Sequence, residues 1–137
     1  MEIIPKKFKE IEIIFSKTPD SSVYINATET AKIFNKTPKD WLKTKDTQNY
    51  IQEISKAHNL TYDALVKVIK GNYSDKTEQG TWIHKRIIIA FARWLSPEFA
   101  VWCDIVIEEI LKTGSYSISQ PPKISIKQRT EDLEYAV

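Results

Sequence analysis

Residues 80–102 place the strongest restriction on how this chain can fold. Residues 81–83 are typical of a strand, and apolar residues then recur at helical spacing over residues 84–95. Ser96 and Pro97 end that helix and begin another, because Ser is a favoured N-cap and Pro is favoured at the first helical position. The segment therefore predicts a strand followed directly by two helices.

The second of these helices is expected to run to about Lys112. Val101 and Ile105, with Ile107 or Glu108 beside them, are expected to form its apolar side. The tryptophans at 82, 94 and 102 are interpreted as core residues, because aromatic side chains at such spacing bury large areas.

The N-terminal part of the chain predicts a β-hairpin. Residues 9–15 begin with polar/apolar alternation and are rich in β-branched side chains, which favours a strand. Residues 16–22 have the composition of a turn, and residues 23–25 are typical of a second short strand.

Two helix starts then follow in close succession. Asn26 is a predicted N-cap for a helix to about residue 35, and Thr37 with Pro38 predicts a second start. The tight junction between them predicts a helix-turn-helix-like corner. A further helix is expected over roughly residues 47–58, and Thr61 is expected to cap a short helical turn.

Residues 66–70 and 81–83 predict a second hairpin with a polar, wing-like tip. The predicted fold is therefore a small, single α+β domain over residues 1–112. It has an N-terminal hairpin, a helix-turn-helix-like helix pair, a wing-like β-hairpin and two C-terminal core helices. Residues 113–137 are rich in Ser, Gln, Pro and charge, and predict a partly disordered tail or linker.

The composition excludes several classes of protein. No apolar run approaches the roughly 18 residues of a membrane span, and the N-terminus lacks the pattern of a signal peptide. A single cysteine, Cys103, excludes an internal disulfide and fits a reducing compartment. His58 and His84 have no spacing partners for zinc, so neither a metal site nor a cofactor is expected, and no catalytic constellation is found. We therefore expect a non-catalytic cytoplasmic protein.

Positive charge is concentrated in the first part of the chain. Residues 1–95 hold 16 of the 20 Lys and Arg but 11 of the 18 Asp and Glu. One basic group decorates the arms of the predicted corner: Lys32, Lys36, Lys39, Lys43 and Lys45. It is either a solvated face or a set of phosphate contacts.

The wing-like hairpin supplies a second candidate surface. It carries polar and basic groups able to reach a duplex: Lys67, Lys70, Asn72, Tyr73 and Lys76. Asp75 and Glu78 lie on the same loop and would oppose phosphate contact. The candidates for base contact, which the sequence does not rank, are Asn35, Thr37, Gln48, Asn49 and Asn72.

Two blocks of this sequence resemble a KilA-N domain. The first is Tyr24-Ile-Asn-Ala-Thr28 followed by Trp41-Leu42, and the second is Gly80-Thr-Trp-Ile-His84 with Trp94-Leu-Ser-Pro-Glu-Phe-Ala-Val-Trp102. The resemblance covers residues 23–111. It implies a small α+β fold, similar to the DNA-binding domain of certain fungal cell-cycle transcription factors. It also implies DNA binding, typically in proteins of phages, prophages and large DNA viruses.

The resulting hypothesis is a non-catalytic DNA-binding protein of phage or prophage type, active in transcription regulation in a bacterial host cell. The alternative is a protein-interaction module, antirepressor-like, that binds a host or phage regulatory protein. The acidic residues 131–134 of the tail could then dock a protein partner. The sequence leaves the oligomeric state open.

Overall fold

A computed structural model of the chain describes residues 2–70 and 79–113. Within these ranges five strands form one antiparallel sheet in the order β1-β2-β3-β5-β4. The strands are β1 Glu2–Phe8, β2 Ile11–Lys17, β3 Val23–Asn26, β4 Val66–Ile69 and β5 Gly80–His84. Both predicted hairpins are present, and pairing of β3 with β5 joins them into a single sheet.

The first strand, β1, is absent from the sequence prediction, which began the sheet at residue 9. Pro5 and two lysines interrupt its apolar pattern, but Pro5 is compatible with an edge strand because one side of such a strand needs no ladder bonds. Lys9 and Glu10 then turn the chain with φ values of 50° and 69°. Positive φ at both central residues is the requirement of a type I′ hairpin turn.

The described residues contain six helices. They are α1 Ala27–Ile33, α2 Pro38–Leu42, α3 Lys45–His58, α4 Tyr62–Leu65, α5 Lys85–Leu95 and α6 Pro97–Thr113. The predicted caps at Thr61 and Ser96 are confirmed, since their hydroxyls accept from the N–H of Ala64 and of Phe99 at 3.1 and 3.3 Å.

The predicted start at Thr37 and Pro38 is confirmed, whereas the next helix starts earlier than predicted. Thr37 stands at the start of α2, but its side chain makes no capping bond. The helix α3 begins at Lys45 rather than near residue 47, because the hydroxyl of Thr44 accepts from the Thr47 N–H at 3.2 Å and so caps the helix earlier.

The main core lies between one face of the sheet and the helices. Ile25 and Ile83 are paired on the central strands and fully buried, and Phe91 of α5 and Phe99 of α6 are buried in the same cluster. A smaller cluster on other strand positions combines Ile14, Tyr24 and Trp82. The sheet is therefore the common frame to which α5 and α6 are fixed.

The prediction for the apolar side of α6 was wrong for Val101 and Ile105 and right for Ile107. Val101 and Ile105 are 63% and 60% exposed, whereas the buried side consists of Phe99, Ala100, Cys103, Val106, Ile107 and Ile110. Apolar residues occur on most sides of this helix, so its sequence pattern does not select one face. Trp94 and Trp102 are only partly buried as well, whereas Trp82 is fully buried as predicted.

Candidate nucleic-acid interface

Asn26 and Thr28, at the start of α1, form hydrogen bonds with the backbone at the base of the second hairpin. The Asn26 side chain accepts from the Glu29 N–H at 3.1 Å, which confirms it as the N-cap, and donates to the Gln79 carbonyl at 2.9 Å. The Thr28 hydroxyl accepts from the Thr81 N–H at 2.9 Å. The Tyr-Ile-Asn-Ala-Thr block therefore holds the chain where it enters β5.

Gly80 is required at this junction for two reasons. Its φ is +124°, a region that residues with a Cβ rarely adopt. A Cβ at this position would also lie 2.9 Å from Asn26 Oδ1 and 3.1 Å from the Thr28 side chain. The two sequence blocks that carry the family resemblance are therefore in direct contact at this junction.

His84 completes the junction at the end of β5. It is only 4% exposed, and its Nδ1 accepts from the Arg86 N–H at 3.0 Å, which caps α5. Burial, and to a lesser extent the positive charges of Lys85 and Arg86, lower the pKa of His84 to about 4. The imidazole is therefore neutral near pH 7 and acts as a structural cap.

Two observations concern the reactive side chains of the described residues. No group of three or more His, Cys, Asp or Glu within residues 2–70 and 79–113 is arranged to hold a metal ion. Cys103 is buried, and burial raises the pKa of its thiol far above its usual range, which disfavours the nucleophilic thiolate. None of the helices in these ranges is long and apolar enough to cross a membrane.

The predicted helix-turn-helix-like corner contains three helices rather than two. Asn35, with φ of 58°, turns the chain after α1, and the five-residue α2 leads through Thr44 into the longer α3. The buried side of α3 carries Thr47 and Ile51.

The opposite side of α3 is a polar stripe, which we call the α3 stripe. It consists of exposed residues at helical spacing: Lys45, Gln48, Asn49, Gln52 and Lys56. Glu53 is exposed on the same side, and its carboxylate forms a solvent-exposed pair with the Lys56 ammonium at 3.4 Å. Of this set, Lys45 was predicted as a phosphate contact and Gln48 and Asn49 as candidates for base contact, whereas Gln52 and Lys56 were missed. The signal that could have identified those two is the continuation of the polar run at helical spacing opposite Ile51.

The five lysines of the corner have different surroundings. Lys32 pairs with Glu29 at 3.0 Å and Lys43 with Asp40 at 3.4 Å, both exposed pairs within one helix. Lys36 is partly buried, donates to the Trp94 carbonyl at 3.0 Å and lies 4.5 Å from the Trp94 ring centroid. Lys39 and Lys45 are exposed, and neither makes a salt bridge within the described ranges.

The hairpin residues are only partly described. Lys67 lies on β4 with its ammonium 5.1 Å from the Tyr24 ring centroid, and Lys70 is exposed just after β4. Asn72, Tyr73 and Lys76 fall outside the described residues. The same is true of nearly all of the predicted tail.

Comparison with known proteins identifies the class to which this α+β domain belongs. The KilA-N domain model matches residues 6–113. The chain therefore belongs to the KilA-N family, a non-enzymatic family of mainly viral and phage proteins for which DNA binding is implied at the level of the family. No solved structure matches the chain.

Individual relatives agree with this assignment. A KilA-N domain-containing protein of Acanthamoeba polyphaga mimivirus is 33% identical over 90 residues, which cover 64% of this chain and 26% of the relative. A second mimivirus protein of the same description is 29% identical over 93% of this chain and 27% of its own length. One from Invertebrate iridescent virus 6 is 33% identical over 60% of this chain and 24% of its own length. The chain thus spans about a quarter of the length of these relatives.

Proposed function

We propose that this protein binds duplex DNA and inserts α3 into the major groove. The α3 stripe is the observation that carries the proposal, because it places three exposed amide side chains between two lysines on a helix of a DNA-binding family. A major groove of about 12 Å admits an α-helix, and Asn and Gln can pair in a bidentate manner with adenine. Lysine supplies phosphate contacts.

The dimensions of α3 suit this role. Lys45 and Lys56 are eleven residues apart in the sequence, which corresponds to roughly 16 Å along the helix axis. This separation allows the two ammonium groups to reach backbone phosphates on either side of the groove while Asn49 and Gln52 face base edges. Specificity for sites that contain adenine is expected from these two amides.

Other predicted contacts take secondary places in the proposal. Lys39 and Lys43, on α2 and just after it, extend the basic surface at the start of α3. Lys32 lies further away in sequence on α1, and we assign Lys36 to the fold because its ammonium group is held by Trp94. The hairpin residues Lys67, Lys70, Asn72, Tyr73 and Lys76 are proposed to contact DNA as a second element.

A fluorescence-anisotropy titration of a duplex across salt concentrations tests the proposal. The affinity should fall steeply with salt, because each phosphate neutralised by a lysine releases counterions. Lys45→Ala and Lys56→Ala should each reduce the slope of log K against log salt by about one. Asn49→Ala should weaken binding to a selected sequence while leaving that slope unchanged.

The matched control is Lys7→Ala, an exposed lysine of the edge strand β1. It should leave both the affinity and the salt slope at their wild-type values. Loss of affinity in the control equal to that of Lys45→Ala would show general electrostatic attraction instead of a site on α3. Binding without any salt dependence would contradict phosphate contact and favour the protein-interaction alternative.

Three finer points are part of the same proposal. We propose a role in transcription regulation, and, in agreement with the non-enzymatic family, no catalytic activity. The phage or prophage origin and the bacterial host cell remain predictions, since the relatives described above belong to mimivirus and an iridescent virus. A protein partner of the tail also remains a prediction.

A further inference from the structure

Glu53 lies within the surface of α3 that is proposed to face DNA. The buried side of this helix is centred between Thr47 and Ile51. Since successive residues of an α-helix are about 100° apart around the axis, the opposite direction is that of Asn49. Glu53 lies about 40° from Asn49 on this scale, and Gln52 lies about 60° from it on the other side. The carboxylate is therefore nearer to the centre of the exposed side than one of the amides of the α3 stripe.

Lys56 is the basic group that pairs with this carboxylate. The ammonium nitrogen and the carboxylate oxygen are 3.4 Å apart, and the Glu53 and Lys56 side chains are 71% and 66% exposed. An exposed pair of this kind is screened by water and contributes little to stability. The pair is therefore easily given up when another group competes for the ammonium.

DNA is such a competitor under the proposed function, on which this inference rests. A phosphate that takes the Lys56 ammonium leaves the Glu53 carboxylate beside the duplex without that counter-ion. A charged group that loses water without gaining a hydrogen bond carries a large desolvation cost, and the phosphates themselves repel it. The carboxylate therefore needs a hydrogen-bond donor from the duplex.

The major groove offers such donors on two bases. Cytosine presents its N4 amino group, and adenine presents its N6 amino group beside the acceptor N7. The amides of Asn49 and Gln52 match the donor and the acceptor of adenine together, whereas a carboxylate only accepts and is repelled by N7. Cytosine is thus the base that suits Glu53.

We propose that Glu53 accepts a hydrogen bond from the N4 amino group of a cytosine and selects that base. The residue is four positions beyond Asn49, which corresponds to roughly 6 Å along the helix axis. Neighbouring nucleotides of one strand are about 3.4 Å apart along the duplex axis. The cytosine is therefore expected within about two base pairs of the adenine that Asn49 contacts.

In vitro selection of duplexes by the full 137-residue protein, followed by fluorescence anisotropy, tests the assignment. The selected site should hold a C·G pair at that distance, and its replacement by T·A should weaken wild-type binding at least about fivefold. Glu53→Gln should select A·T at this pair and keep every other preference, because glutamine matches adenine. Glu53→Ala should lose the preference for cytosine without gaining one for adenine.

Asp40→Asn is the matched control. Asp40 and Lys43 form an exposed pair at 3.4 Å with the same spacing in sequence, and Asp40 lies on α2, outside the α3 stripe. Asp40→Asn and Glu53→Gln each remove one negative charge and release one lysine, so both should strengthen binding to an unrelated duplex about twofold to threefold. Only Glu53→Gln should change a base preference, which separates base contact from a general effect of charge.

Two results would overturn the assignment while leaving the proposed function in place. One is a Glu53→Gln protein that selects the same sequence as the wild type. The other is a change of base preference in Asp40→Asn equal to that in Glu53→Gln. In both cases the steep salt dependence of the wild type and the loss of affinity in Asn49→Ala persist. A wild type without affinity for DNA would instead overturn the proposed function and this assignment together.

Discussion

The junction around Gly80 and the α3 stripe are both polar, but the polar groups of the junction are buried and hydrogen-bonded, whereas those of the stripe face solvent. At the junction the Asn26 amide and the His84 imidazole are buried and hydrogen-bonded to backbone groups. On α3 the amides of Asn49 and Gln52 face solvent. Buried polar groups must be satisfied within the protein to avoid a desolvation cost, whereas exposed ones can exchange water for a ligand.

This difference separates family identity from the proposed function. The residues that carry the KilA-N resemblance lie largely in the junction and in the core helices α5 and α6, where they determine the fold. The residues proposed to contact base edges lie on α3, outside both blocks of resemblance. Changes in the junction should therefore alter stability, and changes on α3 should alter binding.

The largest effect is expected at Gly80. Gly80→Ala should lower the free energy of unfolding by about 4 kcal/mol, because it combines a strained positive φ with the close approach of Asn26 Oδ1. Urea unfolding measures this. Asn59→Ala is the control, since Asn59 also has positive φ, 53°, but is exposed at the end of α3. The control should cost about 1 kcal/mol, and equal costs at the two positions would contradict a tight junction.

A somewhat smaller effect is expected from the protonation of His84. Its folded pKa of about 4 lies below the ordinary value of 6.5, so its contribution is fully present above pH 6.5 and is lost as the pH falls towards 4. The loss should reach about 3 kcal/mol. The variant His84→Asn keeps an N-cap side chain that does not titrate. The free energy of unfolding should therefore fall between pH 6.5 and pH 4 for the wild type and fall less for this variant. Parallel profiles would show that His84 is not held neutral.

The smallest effect distinguishes two lysines that the sequence grouped together. Lys36→Ala should cost about 1 kcal/mol, because the ammonium lies over the Trp94 ring and bonds to a carbonyl at the end of α5. Lys39→Ala should change stability by less than about 0.5 kcal/mol, as is usual for an exposed position. Thermal unfolding of the two variants side by side measures the difference. If Lys36→Ala leaves the thermal stability unchanged, the contact of Lys36 with Trp94 does not stabilise the fold.

Local signals predicted much of the fold because they act over a few residues. The caps at Asn26, Thr61 and Ser96, the two hairpins and the helix pair of α5 and α6 all follow from short-range hydrogen bonding and periodicity. The strand β1 was missed because Pro5, Lys6 and Lys7 give it no apolar alternation. It is recognisable only through its pairing with β2.

The candidate site was predictable only in part. Lys45 was identified from charge, and Gln48 and Asn49 were among the candidates for base contact. Their grouping with Gln52 and Lys56 on one side of α3 followed only when the buried side of the helix was known. The partner of Lys36, Trp94, lies 58 residues away along the chain, so no local pattern could reveal the contact. For α6, the assignment of Val101 and Ile105 to the core was wrong for the same reason.

The sequence by itself determined the family and the order of the elements that follow β1, because these depend on residue types and short spacings. The tertiary structure decided which face of α6 is buried, which lysines are engaged and how Asn26 meets Gly80. Those outcomes depend on contacts between segments far apart in the chain. Residues 80–102 determined the strand and the two helices of the core. Packing of these helices against the sheet decided which of their side chains remain exposed.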